Sequence, residues 1–267
     1  MLRSLRSELL KISTTRIWWI LAAILFGYVG LTAAGMAALF TTIRQQPEGQ
    51  LITAEMVPPL VYSVATAVGY VFPLLFGALA TTTEFRHQTL TPTFLATPRR
   101  SAVLGGKVIA GAVWGVVYAV VGLLAAVGLG ALVLAATGQE TLLGDSDVWA
   151  LLGRIVLAMM LWAMIGVAFG VLVSNQVAVI VIVLAFTQFV EPLLRLASSF
   201  WEWSARIGGY LPGAASDALV GSSIFTAFSG AATADSLEWW QGGLVLGGYA
   251  ALFLVIGGLT TWRRDVT

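Results

Sequence analysis

Long apolar runs separated by short polar segments set the pattern of this chain. Ile17 to Phe40 carries no charge over roughly 24 residues, enough to cross a hydrocarbon core of about 30 Å. Further apolar runs extend from about Met56 to Thr83, Val108 to Ala136, Leu151 to Val173, Val177 to Val190 and Trp239 to Thr261. Trp18 and Trp19 open the first run, and Trp239 and Trp240 open the last, where indole rings prefer the headgroup level. The first run exceeds the roughly 7–15 residues of a signal-peptide core, so it is expected to stay as an uncleaved span. The pattern predicts six crossings.

The polar segments differ from one another. In residues 1–15, Leu2, Leu5, Leu9, Leu10 and Ile12 recur at helical spacing, opposite Arg3, Arg6, Glu8 and Lys11. That spacing predicts a basic amphipathic helix lying in the interface plane. Pro73, well inside the second run, should kink that helix or open its hydrogen-bond ladder. Gly111 with Gly115 and Gly166 with Gly170 give GxxxG spacing, which lets helices approach closely. Residues 191–238 form the longest segment outside the runs. Their apolar pieces are too short to cross and predict re-entrant or interfacial helices.

Composition sharpens the class. Only 10% of residues are charged and 58% are hydrophobic, against about 25% charged in soluble domains. The expected fold is therefore all-α integral membrane, a single transmembrane domain over 1–267. With six spans, one side holds Arg3, Arg6, Lys11, Arg16, Arg86, Arg99, Arg100, Lys107, Arg263 and Arg264 against Glu8, Glu84 and Asp265. The other holds Arg44, Arg154, Arg195 and Arg206 against ten carboxylates. The positive-inside rule then places both termini in the cytoplasm, with a bacterial plasma membrane as the expected location.

Several chemistries are hard to assemble. There is no cysteine and one histidine, which disfavours thiolate or zinc chemistry. Scattered serines and one histidine give no hydrolase triad. Gly105, Gly106 and Lys107 do not meet phosphate-loop spacing. Carboxylates fall in loops or at span ends, with Arg154 and Glu191 nearest to exceptions and both expected near the outer surface, so no ion relay is evident. Nothing points to nucleic acid. Energy for transport would then come from another polypeptide, meeting the polar loop Glu84 to Lys107. Its basic residues also suit a purely topological anchor.

The order Glu84-x-Arg86, Thr89, Pro98-Arg99-Arg100 and Gly106-Lys107 resembles the signature of type-2 ATP-binding cassette (ABC) exporter permeases. The likeness covers the whole chain, including a tight turn at Ser174–Gln176 and a Leu-Pro stretch at Tyr210–Ala214. It implies a cytoplasmic coupling loop over 84–107, with Phe85 to Ala96 as a coupling helix and Arg99 and Arg100 as its basic exit. Glu84 and Arg86 would pair within the loop or with the ATPase, and Arg99, Arg100 and Lys107 would face water or headgroups. The likeness also implies an ABC ATPase in two copies, carrying the ATP and Mg, and a second permease chain, identical or related. This chain would bind no cofactor and perform no catalysis. Candidate path residues on the second and fifth spans are Tyr62, Thr66, Tyr70, Phe76, Thr187 and Gln188. An ion-coupled transporter, a channel or a non-transporting immunity or scaffold protein remain alternatives.

Overall fold

The computed structural model describes residues 2–44, 53–97, 99–198, 207–222, 224 and 237–262. Among them every regular element is helical. The N-terminal amphipathic segment forms α1 (Leu2–Ser13). The first span is α2 (Ile17–Arg44). The second comprises a 3-10 turn (Ala54–Met56), α3 (Val57–Ala67) and α4 (Val71–Arg86). A short helix, α5 (Leu90–Ala96), precedes the third span, α6 (Arg100–Ala136). The fourth span is α7 (Ser146–Leu172). The fifth runs through α8 (Gln176–Ala185), one π turn (Phe186–Val190) and α9 (Glu191–Ser198). A short helix, α10 (Pro212–Val220), and the last span, α11 (Trp239–Thr260), follow. Six helices are long and apolar enough to cross a membrane.

The second span breaks where its proline requires. Pro73 has no N–H to give Gly69, so the Gly69 carbonyl accepts Phe72 N–H at 3.1 Å, a tighter turn. The helix is interrupted at Val68–Tyr70 and resumes as α4. Small residues then set how closely helices meet. A Cβ on Gly166 would lie 2.1 Å from the Leu74 carbonyl oxygen, and one on Gly170 2.7 Å from that of Ala78. The α4 and α7 backbones are therefore in direct contact, as GxxxG spacing anticipates.

The chain differs from its pattern in the fifth span. The fifth span does not stop at Val190. It continues as one helix through Glu191 to Ser198, so the first eight residues of 191–238 extend a span. Glu191 is buried within the protein, 2% exposed. The rest of that segment contributes α10, whose 9 residues are too few to cross. It packs on α11, where a Gly242 Cβ would lie 2.4 Å from the Ala215 oxygen.

Candidate functional site: the polar end of the bundle

Glu84 ends the second span and Lys107 lies near the start of the third. Lys107 Nζ is 2.8 Å from Glu84 Oε2 and 2.7 Å from Glu8 Oε2. Lys11 Nζ closes the ring, at 2.9 Å from both Glu84 Oε1 and Glu8 Oε1. Two acids and two bases from α1, α4 and α6 thus alternate in a neutral square. Glu8, Glu84 and Lys107 are buried, and Lys107 is only 3% exposed. The expectation that Lys107 faces water or headgroups is overturned. Its ammonium is buried because two carboxylates, one from α1, meet it; a buried charge is tolerated when fully paired.

Burial lowers the Lys11 ammonium pKa, but Glu84 and Glu8 together outweigh this and raise it above the ordinary 10.5. Gly106 allows α1 to lie this close: a Cβ there would meet Ser4 Oγ at 3.1 Å and Leu5 N at 3.3 Å.

From Glu84 the chain turns sharply. Gln88 adopts φ 53°, while Thr89 N–H donates to Glu84 O at 3.1 Å and Gln88 N–H to Phe85 O at 3.3 Å. This is a Schellman stop with glutamine in the left-handed position. Phe85 and Arg86 consequently belong to the end of α4, and the coupling-helix candidate shortens to Leu90–Ala96.

α5 is anchored on one face. Leu90 is fully buried against Val103, Val171 and Trp262. Phe85 and Phe94 meet Trp262 edge-on at 6.2 and 5.3 Å. The Arg100 guanidinium covers Phe94 at 5.0 Å and donates to Trp262 O at 3.1 Å, while Trp262 Nε1 donates back to Arg100 O. The other face is open: Thr91 and Pro92 are exposed and Leu95 is 80% exposed, and Arg86, His87, Gln88, Thr89 and Arg99 are exposed in the flanking segments. Arg86 Nη1 still reaches Gln176 Oε1 at 3.2 Å, tying α4 to the start of α8. Pro98, Arg263 and Arg264 lie outside the described residues.

Sequence reasoning missed Glu8, Lys11 and Trp262 as members of this site. A usable signal existed for Glu8, the lone acid in a basic segment.

Of the six path candidates, four come together. Thr66, Tyr70, Thr187 and Gln188 line one cavity of about 530 Å3 between the second and fifth spans. It forms where both spans are irregular, at the Val68–Tyr70 break and the π turn. Thr187 Oγ1 bonds back to Val183 O at 2.8 Å, and the Tyr70 hydroxyl faces Thr187 O at 3.4 Å. Single π turns inside α-helices recur at functional sites. The other two candidates lie elsewhere. Tyr62 is fully buried with its hydroxyl donating to Thr141 O at 2.7 Å. Phe76 packs in the core against Trp114 and Tyr118.

A family model described as ABC-2 family transporter protein matches residues 4–190, from α1 through the π turn. The chain belongs to the ABC-2 transporter family. It is thus an ABC transporter permease, a multi-pass membrane subunit. The matched stretch of this ABC-2 permease contains the whole four-charge square and α5. No curated protein matches the chain in sequence.

Proposed function

We propose that this ABC-2 permease is the membrane subunit of an exporter driven by a separate ABC ATPase. The exposed face of α5, with Thr89, Arg99 and the end of α4 at Arg86, docks the ATPase, which carries ATP and Mg. The observation that carries this reading is the combination at α5: anchored inward through Leu90, yet presenting Leu95 80% exposed at the basic end of the bundle. An exposed leucine among polar residues on the water side suits a partner contact.

Movement of α5 reaches the bundle through Glu84. The four-charge square ties α4, α6 and α1 together, so they shift as one body, while Trp262 couples α5 to the end of α11. The cavity lies between the end of α3 with the Val68–Tyr70 break and the π turn with α9, and a shift of α4 reaches it through that break. The excess of basic residues at this end supports its cytoplasmic placement by the positive-inside rule. Substrate would then leave toward the opposite side. A second permease, identical or related, completes the path, and the largely exposed apolar face of the fifth span, only 22% buried, is available to it or to lipid.

The test is reconstitution. Purified with an ABC ATPase in proteoliposomes, the permease is expected to give ATP-dependent movement of substrate, lost in Glu84→Ala/Arg86→Ala. Transport by the chain alone under an ion gradient would instead support a secondary transporter.

A further inference from the structure

The cavity is apolar over much of its wall, at Tyr28, Val68, Leu196 and Ile224. Charge gathers at one end, where Glu191, Arg195 and Asp217 line it. Arg195 Nη1 donates to Asp217 Oδ2 at 2.8 Å, and its Nε lies 3.4 Å from Glu191 Oε1. The Gly213 N–H, at the start of α10, donates to the same Oε1. Glu191 is 2% exposed, and among the described residues its Oε2 has no hydrogen-bond partner.

Among the described residues, two carboxylates face one guanidinium in a buried setting. A buried carboxylate oxygen without a donor is costly, and a cationic donor relieves that cost most effectively. The volume and the apolar wall suit a small-molecule body. Among the described residues, Arg195 is already engaged by both acids.

We propose that this chamber binds cationic amphiphiles, with a protonated amine donating to Glu191 Oε2 and the hydrocarbon body lying against Tyr28, Val68 and Leu196. Its role as the transported substrate rests on the permease function proposed above; binding itself needs no ATPase. The charged end arises from Glu191, Arg195 and Asp217, all beyond the stretch matched by the family model.

The experiment measures binding of dodecylammonium, dodecanol and dodecanoate to the full chain in phosphatidylcholine nanodiscs, with empty nanodiscs as blank. Intrinsic tryptophan fluorescence is the readout, since Trp162 lies 4.4 Å from the cavity-lining Tyr70 ring. Dodecylammonium is expected to bind at least about tenfold more tightly than dodecanol, with dodecanoate weakest. Glu191→Gln is expected to remove that preference while dodecanol still binds, which also reports a folded chamber. Equal binding of the three probes by the wild type, or an amine preference that survives Glu191→Gln, overturns the proposal. The wild-type ranking decides if the variant does not fold. Amine binding retained by a chain that shows no ATP-driven transport with its ATPase overturns the permease function and leaves this site standing.

Discussion

Lys107 and Glu8 meet at 2.7 Å although 99 positions separate them in the chain. The contact pins an amphipathic N-terminal helix to the head of the third span. Because Lys107 also meets Glu84, the same ammonium joins both to the base of the second span.

Removing that ammonium should be costly. Lys107→Met leaves Glu8 and Glu84 buried with Lys11 as their shared counter-charge, and should lower stability by roughly 3 kcal/mol. Adding Glu8→Gln leaves the single Lys11–Glu84 pair and should recover most of the loss. Thermal unfolding of the two variants in detergent checks both steps.

The square should also carry a specific alkaline signature. The Lys11 pKa is raised above 10.5 in the folded chain because the charges and hydrogen bonds of Glu84 and Glu8 outweigh its burial. Its contribution is then complete below pH 10.5 and lost as pH rises through the raised value. Melting temperatures of wild type and Lys11→Met should differ by a constant amount at neutral pH and converge only at strongly alkaline pH.

Backbone contact between α4 and α7 predicts a sharp contrast within one helix. Gly166→Leu puts a side chain where the Leu74 carbonyl stands and should destabilise by about 3 kcal/mol or prevent folding. Gly153→Leu, in the same helix with nothing within 4 Å of its Cβ position, should be neutral. Yield and monodispersity on size exclusion separate the two.

Gln88 occupies a backbone conformation that L-residues adopt at a cost of about 1–2 kcal/mol. Gln88→Gly should therefore protect the α4–α5 turn, slowing amide exchange over residues 85–97. Gln88→Val should accelerate it.

Much of the architecture could be read from pattern. Crossing a hydrocarbon core demands length and apolarity, so the spans are visible in sequence whatever their partners. Pro73 announced the break, because the missing N–H acts locally. The ends of elements were harder. Glu191 reads as a loop residue because it is charged, but Arg195 and the Gly213 amide supply its partners, and both depend on tertiary placement. Lys107 reads as a surface base for the same reason: its two acids come from helices distant in sequence. The loop order marked Glu84, while Trp262, just past the last apolar run, became an anchor of α5 only through the fold. Thr66, Tyr70, Thr187 and Gln188 share a wall because two helical irregularities coincide, whereas Tyr62 and Phe76, on the same span as Tyr70, face the core.

The central claim is that an ABC ATPase docks on the outer face of α5. The chain contains no cysteine, so single-cysteine variants report one position each. Leu95→Cys, on that face, and Trp149→Cys, exposed near the start of α7, are compared by thiol-specific cross-linking in native membranes. The account predicts an adduct containing an ABC ATPase at position 95 and none at position 149. ATPase adducts at 149, or none at 95 while the ATPase co-purifies with the chain, would contradict it.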